Sequence, residues 1–283
     1  NESGNGDNFK YVMEAIEELD PTRLTHYEGN STWSTVTSTM YGSLDHMMNI
    51  ARPRLEDYKQ GKKGIRPHVQ CENTHAMGNS MGNQNDYFKD IYEPYPAMVG
   101  EFVWDWKDQG IKMPVPGKAN QYYWAYGGDF GDKPNDGVFC MNGVVLPDLS
   151  PKPQYYEVKK VYQNVGVKLL DVKKGWVEIF NKNYFEPLSN YQMVWSLWKD
   201  GVCVLNNQPL QGPRMVVGPR QKVVFTLPYD YNKLDEQGEY FAKVQFLLVK
   251  DMPWAKKGYV QMEEQLPIKA AAAAKSLSEV AVG

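Results

Sequence analysis

Apolar positions in the first hundred residues follow two alternating periods. Phe9, Val12, Met13, Ile16 and Leu19 recur at helical spacing, which predicts a helix over 8–19, stopped by Asp20-Pro21. Leu24–Tyr27 and Thr37–Tyr41 read as short strands. His46–Gln60 carries a second helical pattern, with an interruption expected at Pro53. Pro67–Glu72 reads as a strand, Asp86–Tyr92 as a helix ending before Pro94 and Pro96, and Val99–Trp104 as a strand. Those last two strands lie about 30 residues apart, the length of one βα unit. Loop, helix and strand in such alternation predict a parallel sheet, either a barrel or a doubly wound sheet. A closed barrel needs roughly 250 residues, so only its late units fit here.

Residues 105–150 are rich in glycine and turn signals, including Gly127-Gly128-Asp129-Phe130-Gly131-Asp132. No Gly-Lys-Ser/Thr follows those glycines, so they do not form a phosphate loop. Pro153–Gln163 reads as a closing helix. After about residue 164 the texture changes to short runs of Val, Phe, Tyr and Trp between turns. The runs are Val165–Val172, Trp176–Phe180, Gln192–Trp198, Val202–Leu205, Arg214–Val217, Gln221–Leu227, Tyr240–Lys250 and Tyr259–Glu264. About seven short strands over roughly 100 residues predict an immunoglobulin-like β-sandwich. Trp176, Trp195 and Trp198 are expected in its core or on its sheet faces. The expected domains are 1–163, 164–268 and a linker or tail at 269–283, where Lys269 precedes five alanines.

Composition narrows the function classes. Hydrophobic residues make up 42% and charged residues 23%, which fits a folded globular protein. Formal net charge is −3 and no basic run stands out, which excludes a duplex nucleic acid partner. No run of about 18 apolar residues predicts a membrane span, leaving cytoplasm and periplasm as candidate compartments. Cys71, Cys140 and Cys203 are an odd number without close pairing, which argues against a disulfide framework. Cys71, His75 and Cys140 fit no zinc spacing.

Two carboxylates stand out, Glu2 in Asn-Glu-Ser-Gly and Glu72 at the end of a strand. Glycoside cleavage needs a proton for the leaving oxygen and a second carboxylate on the opposite face. At a separation of about 5–5.5 Å the second attacks the sugar carbon and configuration is retained. Glu2 stands almost at the start with no strand before it, so the chain is expected to be a piece of something larger. Alone, it is expected to be inactive and prone to aggregate through unpaired strand edges.

Four motifs in order carry a family resemblance. Asn1-Glu2-Ser3-Gly4 resembles the acid/base signature of glycoside hydrolase family 2. Cys71-Glu72, then His75-Ala76-Met77-Gly78-Asn79-Ser80, resembles the nucleophile segment of the large bacterial β-galactosidases of that family. Phe102-Val103-Trp104-Asp105-Trp106 with Asp108-Gln109 is similar to the next strand. Tyr126–Asp132, Pro134-Asn135-Asp136 and Phe139–Gly143 are similar to the loop after it.

The resemblance implies the C-terminal half of a (β/α)8 TIM barrel followed by the sandwich. It implies a retaining hydrolase of terminal β-D-galactosides acting through a covalent glycosyl-enzyme. Glu2 would be the general acid/base and a magnesium ligand, and Glu72 the nucleophile. Tyr41 would touch the nucleophile, His75 would bind sugar hydroxyls, and Trp104 would lie under the galactose ring. Phe139 and Asn142 would belong to a sodium site. The full-length protein is expected to be a homo-oligomer. Asn73, Thr74 and Glu101 depart from the family pattern, Glu101 standing where glycine is frequent. They are expected to shift which sugar or linkage is preferred. The alternatives are a β-glucuronidase or β-mannosidase of the same family, or a non-catalytic carbohydrate-binding relative.

Overall fold

A computed structural model describes residues 2–209 and 216–271. The chain divides into two compact units, Asn1–Val161 and Tyr162–Gly283. In the first, three strands form a parallel sheet in the order β1 (Thr37–Thr39), β2 (His68–Asn73), β3 (Met98–Val103). Helix α2 (Leu44–Lys59) links β1 to β2. Between β2 and β3, α3 (Gln84–Tyr87) continues into a π-helical turn over Phe88–Tyr92. Met47, Ala51, Ile91 and Met98 are fully buried or nearly so and form the core shared by the helices and the sheet.

Helix α1 (Asp7–Leu19) forms where the apolar spacing predicts it, yet none of its residues is buried. Val12, Ile16 and Leu19 are exposed, and Phe9 stacks on Tyr27 with ring centroids 4.0 Å apart. Helix α2 starts at Ser43, whose hydroxyl accepts from the His46 N–H. It runs through Pro53 without the expected break. Arg54 explains part of that continuity. Its guanidinium donates to the Ile50 carbonyl, the Arg66 carbonyl and the Thr37 hydroxyl, which ties the helix to the sheet edge. The strand expected at Leu24–Tyr27 does not form. Thr25 is held by the Thr35 hydroxyl and by one bond from the Val36 N–H, not by a ladder.

Downstream, an unexpected hairpin pairs β4 (Ile111–Pro114) with β5 (Tyr122–Ala125). Helix α4 (Pro153–Val161) closes the unit.

The second unit holds two antiparallel sheets. β6 (Val165–Asp171), β7 (Trp176–Asn181) and β10 (Lys222–Thr226) make the first, in the order β10-β7-β6. β8 (Tyr191–Lys199), β9 (Val202–Pro209), β11 (Tyr240–Leu248) and β12 (Val260–Lys269) make the second, in the order β12-β11-β8-β9. One core joins them. Val177 and Ile179 of the first sheet lie with Trp195, Val244 and Phe246 of the second. Alternate residues of β11 are buried along its whole length, the period of a strand with one face inward. The β8–β9 hairpin turns on Asp200-Gly201, both at positive φ, the geometry that matches strand twist.

Trp195 is core and Trp176 lies exposed on β7, both within the expectation of core or sheet-face positions. The strand expected at Arg214–Val217 is not seen over Val216 and Val217, and Arg214 and Met215 lie outside the described residues. β12 extends through Lys269, one residue past the expected boundary, and residues 272–283 of the expected tail lie outside the described residues. Among the described residues no helix is long and apolar enough to cross a membrane.

His68 starts β2 and is 2% exposed, its Nδ1 paired with the Thr37 hydroxyl at 2.8 Å. Burial first, then the nearby Arg54 and His46 charges, push its pKa down to about 4. The unfolded chain therefore takes up this proton before the folded one does. Stability from neutral His68 is fully present above about pH 6.5 and is lost as pH falls toward about 4. Replacing His68 by Gln in the full-length protein should flatten the fall in melting temperature across that window. Calorimetry at stepped pH checks this, and equal slopes for both proteins contradict it.

Candidate active site

The C-terminal ends of β1, β2 and β3 carry the candidate residues to one edge of the sheet. Tyr41 lies just after β1 at φ +49, a left-handed conformation uncommon for a bulky side chain. Its N–H donates to the Glu72 carbonyl at 2.8 Å. Its hydroxyl donates to Glu72 Oε2 at 2.6 Å. Glu72 is half-buried near the end of β2. The register between β2 and β3 jumps between Cys71 and Asn73, so Glu72 falls on the irregularity. Such a bulge re-aims a side chain relative to its strand.

Burial raises the Tyr41 pKa, and its hydrogen bond to Glu72 and the charges of Glu72 and Glu2 raise it further. Tyr41 thus stays protonated and donates. Burial likewise raises the Cys71 pKa, followed by the charges of Glu28, Glu72 and Glu2. Two different groups therefore feel Glu2 and Glu72 together. Glu2 itself is exposed, at φ +53, with its N–H bonded to the Glu28 carbonyl at 3.1 Å.

The remaining candidates lie around Tyr41 and the turn after Glu72. The His75 ring lies 6.1 Å from Tyr41 and 6.1 Å from Phe139, centroid to centroid. His75 Nδ1 accepts from the Met77 N–H at 3.3 Å, which leaves the ring proton on Nε2. Trp104 is stitched to the turn after Glu72 on both sides. Its N–H donates to the Asn73 carbonyl at 3.0 Å, and its carbonyl accepts from the Ala76 N–H at 2.7 Å. Its side chain is exposed, as are those of Trp106 and Phe139. The peptide bonds Cys71–Glu72 and Trp104–Asp105 are cis.

Asn142 is 3% exposed and donates to the Phe139 carbonyl at 2.7 Å. Its Oδ1 is buried with no hydrogen-bond partner. An unsatisfied buried oxygen is costly, and an oxygen donor of this kind fits a hard cation such as sodium. Magnesium is different. Among the described residues no group of three or more His, Cys, Asp or Glu could hold a metal, and Glu2 alone does not make such a site.

Sequence reading missed the support beneath these residues. Asp108 is 2% exposed and accepts from the Gly143 N–H at 2.7 Å and from Lys152 Nζ at 3.1 Å. Lys152 also reaches the Ala76 carbonyl at 3.4 Å. One buried ion pair thus joins the segment after β3, the loop of Phe139 and Asn142, and the turn after Glu72. Gly143 is required here, because a Cβ would lie 2.1 Å from the Asp108 backbone nitrogen. Asp108 stands in a recognisable motif, but Lys152 lies 44 residues away with no motif to mark it.

Two family models match the chain. A model described as the TIM barrel domain of glycosyl hydrolases family 2 matches residues 1–167. A model described as domain 4 of β-galactosidase matches residues 177–269. The chain belongs to glycosyl hydrolases family 2. It is similar to a β-galactosidase of Priestia megaterium, 38% identical over 96% of this chain and 25% of the relative. It is also similar to β-galactosidases of Psychromonas ingrahamii, 34% identical over 95% and 26%, and of Photobacterium profundum, 32% identical over 95% and 26%. The chain therefore spans about a quarter of the length of these relatives.

Replacing Lys152 by Met leaves the Asp108 charge buried without its cation. The expected cost is about 3–5 kcal/mol of stability. Adding Asp108→Asn should recover most of it, because the Gly143 bond can persist to a neutral acceptor. Thermal unfolding of the full-length variants checks this, and a single Lys152→Met variant as stable as the parent contradicts it.

Proposed function

We propose that the full-length protein containing this chain is a retaining β-galactosidase, and that this chain contributes its catalytic carboxylates. The observation that carries the reading is the 2.6 Å bond from the Tyr41 hydroxyl to Glu72 Oε2, with the charge of Glu2 acting on the same tyrosine. The similarity to proteins named β-galactosidase supports galactose as the sugar.

In this reading Glu72 attacks the anomeric carbon while Glu2 protonates the departing oxygen. Glu2 then takes a proton from the water that releases the sugar. Tyr41 holds the Glu72 carboxylate in one orientation and keeps Oε2 engaged until the new bond forms. His75, with its ring proton on Nε2, donates to a sugar hydroxyl. Trp104 offers an exposed ring face to the apolar face of the sugar. The Phe139 carbonyl and Asn142 Oδ1 would hold sodium, which would supply a Lewis-acidic partner for a sugar hydroxyl. Magnesium at Glu2 requires ligands beyond those described here. The first unit is the C-terminal half of a TIM barrel, supported by three consecutive parallel strands with helical connections. The second is an immunoglobulin-like sandwich, supported by seven strands in sheets of three and four around one core.

Steady-state kinetics of the full-length protein on aryl β-D-galactosides, β-D-glucuronides and β-D-mannosides test the substrate. Galactoside kcat/KM should exceed the others. Tyr41→Phe should lower kcat about 10²–10³-fold, the usual effect of losing one aligned donor in an active site. Glu72→Gln should remove turnover. Galactoside hydrolysis that survives Glu72→Gln overturns the assignment.

A further inference from the structure

We propose that Glu101, a residue outside the catalytic pair, positions the nucleophile by anchoring the two residues that follow Glu72. This inference rests on the assignment of Glu72 above. Glu101 lies on β3 directly opposite Gln70 of β2. Its carboxylate gathers donors from three directions. Oε2 accepts from Asn73 Nδ2, from the Thr74 hydroxyl at 3.3 Å and from the Tyr92 hydroxyl at 3.3 Å. Oε1 accepts from Gln84 Nε2 at 2.7 Å and from the Thr74 hydroxyl at 3.3 Å. Tyr92 in turn accepts from Gln70 Nε2 at 2.7 Å. Gln70 and Gln84 are fully buried and Asn73 is 4% exposed, while Glu101, Thr74 and Tyr92 are half-buried, so the network is largely shielded from water.

The geometry matters because Glu72 sits on the register irregularity between Cys71 and Asn73. A bulge leaves its residue without a cross-strand partner, so its direction depends on what holds either side. At Glu72 itself, the carbonyl is held by the Tyr41 N–H. Downstream, the Asn73 carbonyl accepts from Trp104, and both following side chains end on Glu101. Thr74 adopts φ +53, which a β-branched residue rarely does, so the turn needs an external anchor. A carboxylate supplies one because Asn73, Thr74, Gln84 and Tyr92 each turn a donor toward it. Glutamine at 101 would turn an NH2 toward one of those donors, loosening the turn after Glu72 without touching substrate.

The test uses the full-length protein with an aryl β-D-galactoside as substrate. Active sites are counted by the burst of aryl alcohol from a 2,4-dinitrophenyl 2-deoxy-2-fluoro-β-D-galactoside. Glu101→Gln should lower kcat per counted site about 10- to 100-fold, the scale set by small misplacements of a reacting group. KM should stay within about threefold, since no sugar contact is lost. Asn73→Ala should act in the same direction, and the double variant should be no slower than the worse single variant, as expected for two groups in one contact. A kcat per counted site unchanged in Glu101→Gln, or effects of Glu101→Gln and Asn73→Ala that multiply, overturns the proposal whatever happens to the melting temperature. Should Glu101→Gln fail to accumulate as folded protein, Thr74→Val replaces it. A several-fold fall in kcat per site supports the anchor, and an unchanged value overturns it. An unmodified protein that gives neither turnover nor burst overturns the functional reading together with this inference. Normal wild-type turnover with unaffected variants overturns only the role of Glu101.

Discussion

The parallel register of three strands is the constraint on which the site depends. Thr39 stands opposite Gln70, and Gln70 opposite Glu101, so the chain emerges from all three strands at one edge. Tyr41, Glu72 and Trp104 then follow as neighbours, although about 30 residues of helical connection separate each from the next. A slip of one residue in such a sheet sends every side chain to the opposite face. The apolar packing of Met47, Ala51, Ile91 and Met98 against the sheet resists that slip. Core and chemistry are thus coupled through the register rather than through direct contact.

Polar groups do the finer positioning, and they are buried (Asp108) or half-buried (Glu101 and Lys152). Glu101 gathers the turn after Glu72 from one side, while Asp108 and Lys152 hold it and the Phe139 loop from another. Buried charges are expensive unless each lone pair and proton finds a partner. Here the partners are the loops that carry the candidate residues. The cost of burial therefore works as a restraint: a loop that moves away leaves a charge unsatisfied. Asn142 Oδ1 shows the converse. It is one of several buried side-chain oxygens of the first unit, with those of Gln70, Gln84 and Gln154, that have no hydrogen-bond partner among the described residues.

Local patterns made much of this fold legible. Helical spacing marked α1 and α2, and runs of Val, Phe, Tyr and Trp between turns marked the strands of the second unit, because each signal is local. The features that escaped are those decided by distant contacts. Pro53 reads as a break, but Arg54 beside it ties the helix to Arg66 and Thr37 outside it. Leu24–Tyr27 has strand composition but takes side-chain partners instead of a ladder. The β4–β5 hairpin hides in a glycine- and proline-rich stretch. At the site, the glutamates and the residues beside them were readable from contiguous motifs. The structure brings Tyr41, Glu72, His75, Trp104, Phe139 and Asn142 together and lets Glu2 act on the same tyrosine. Glu101 was visible only as a departure from the family pattern, because its partners Gln84 and Tyr92 belong to no motif and meet it only in three dimensions.

The central claim is that Glu72 forms a covalent bond to the sugar. The most direct measurement is mass spectrometry of peptides from the full-length protein after inactivation by a 2-deoxy-2-fluoro-β-D-galactosyl fluoride. The account predicts a fluorogalactosyl mass increment on the peptide containing Cys71-Glu72-Asn73, located on Glu72 and absent from Glu72→Gln. A label on another carboxylate, or complete inactivation with none on that peptide, would contradict it.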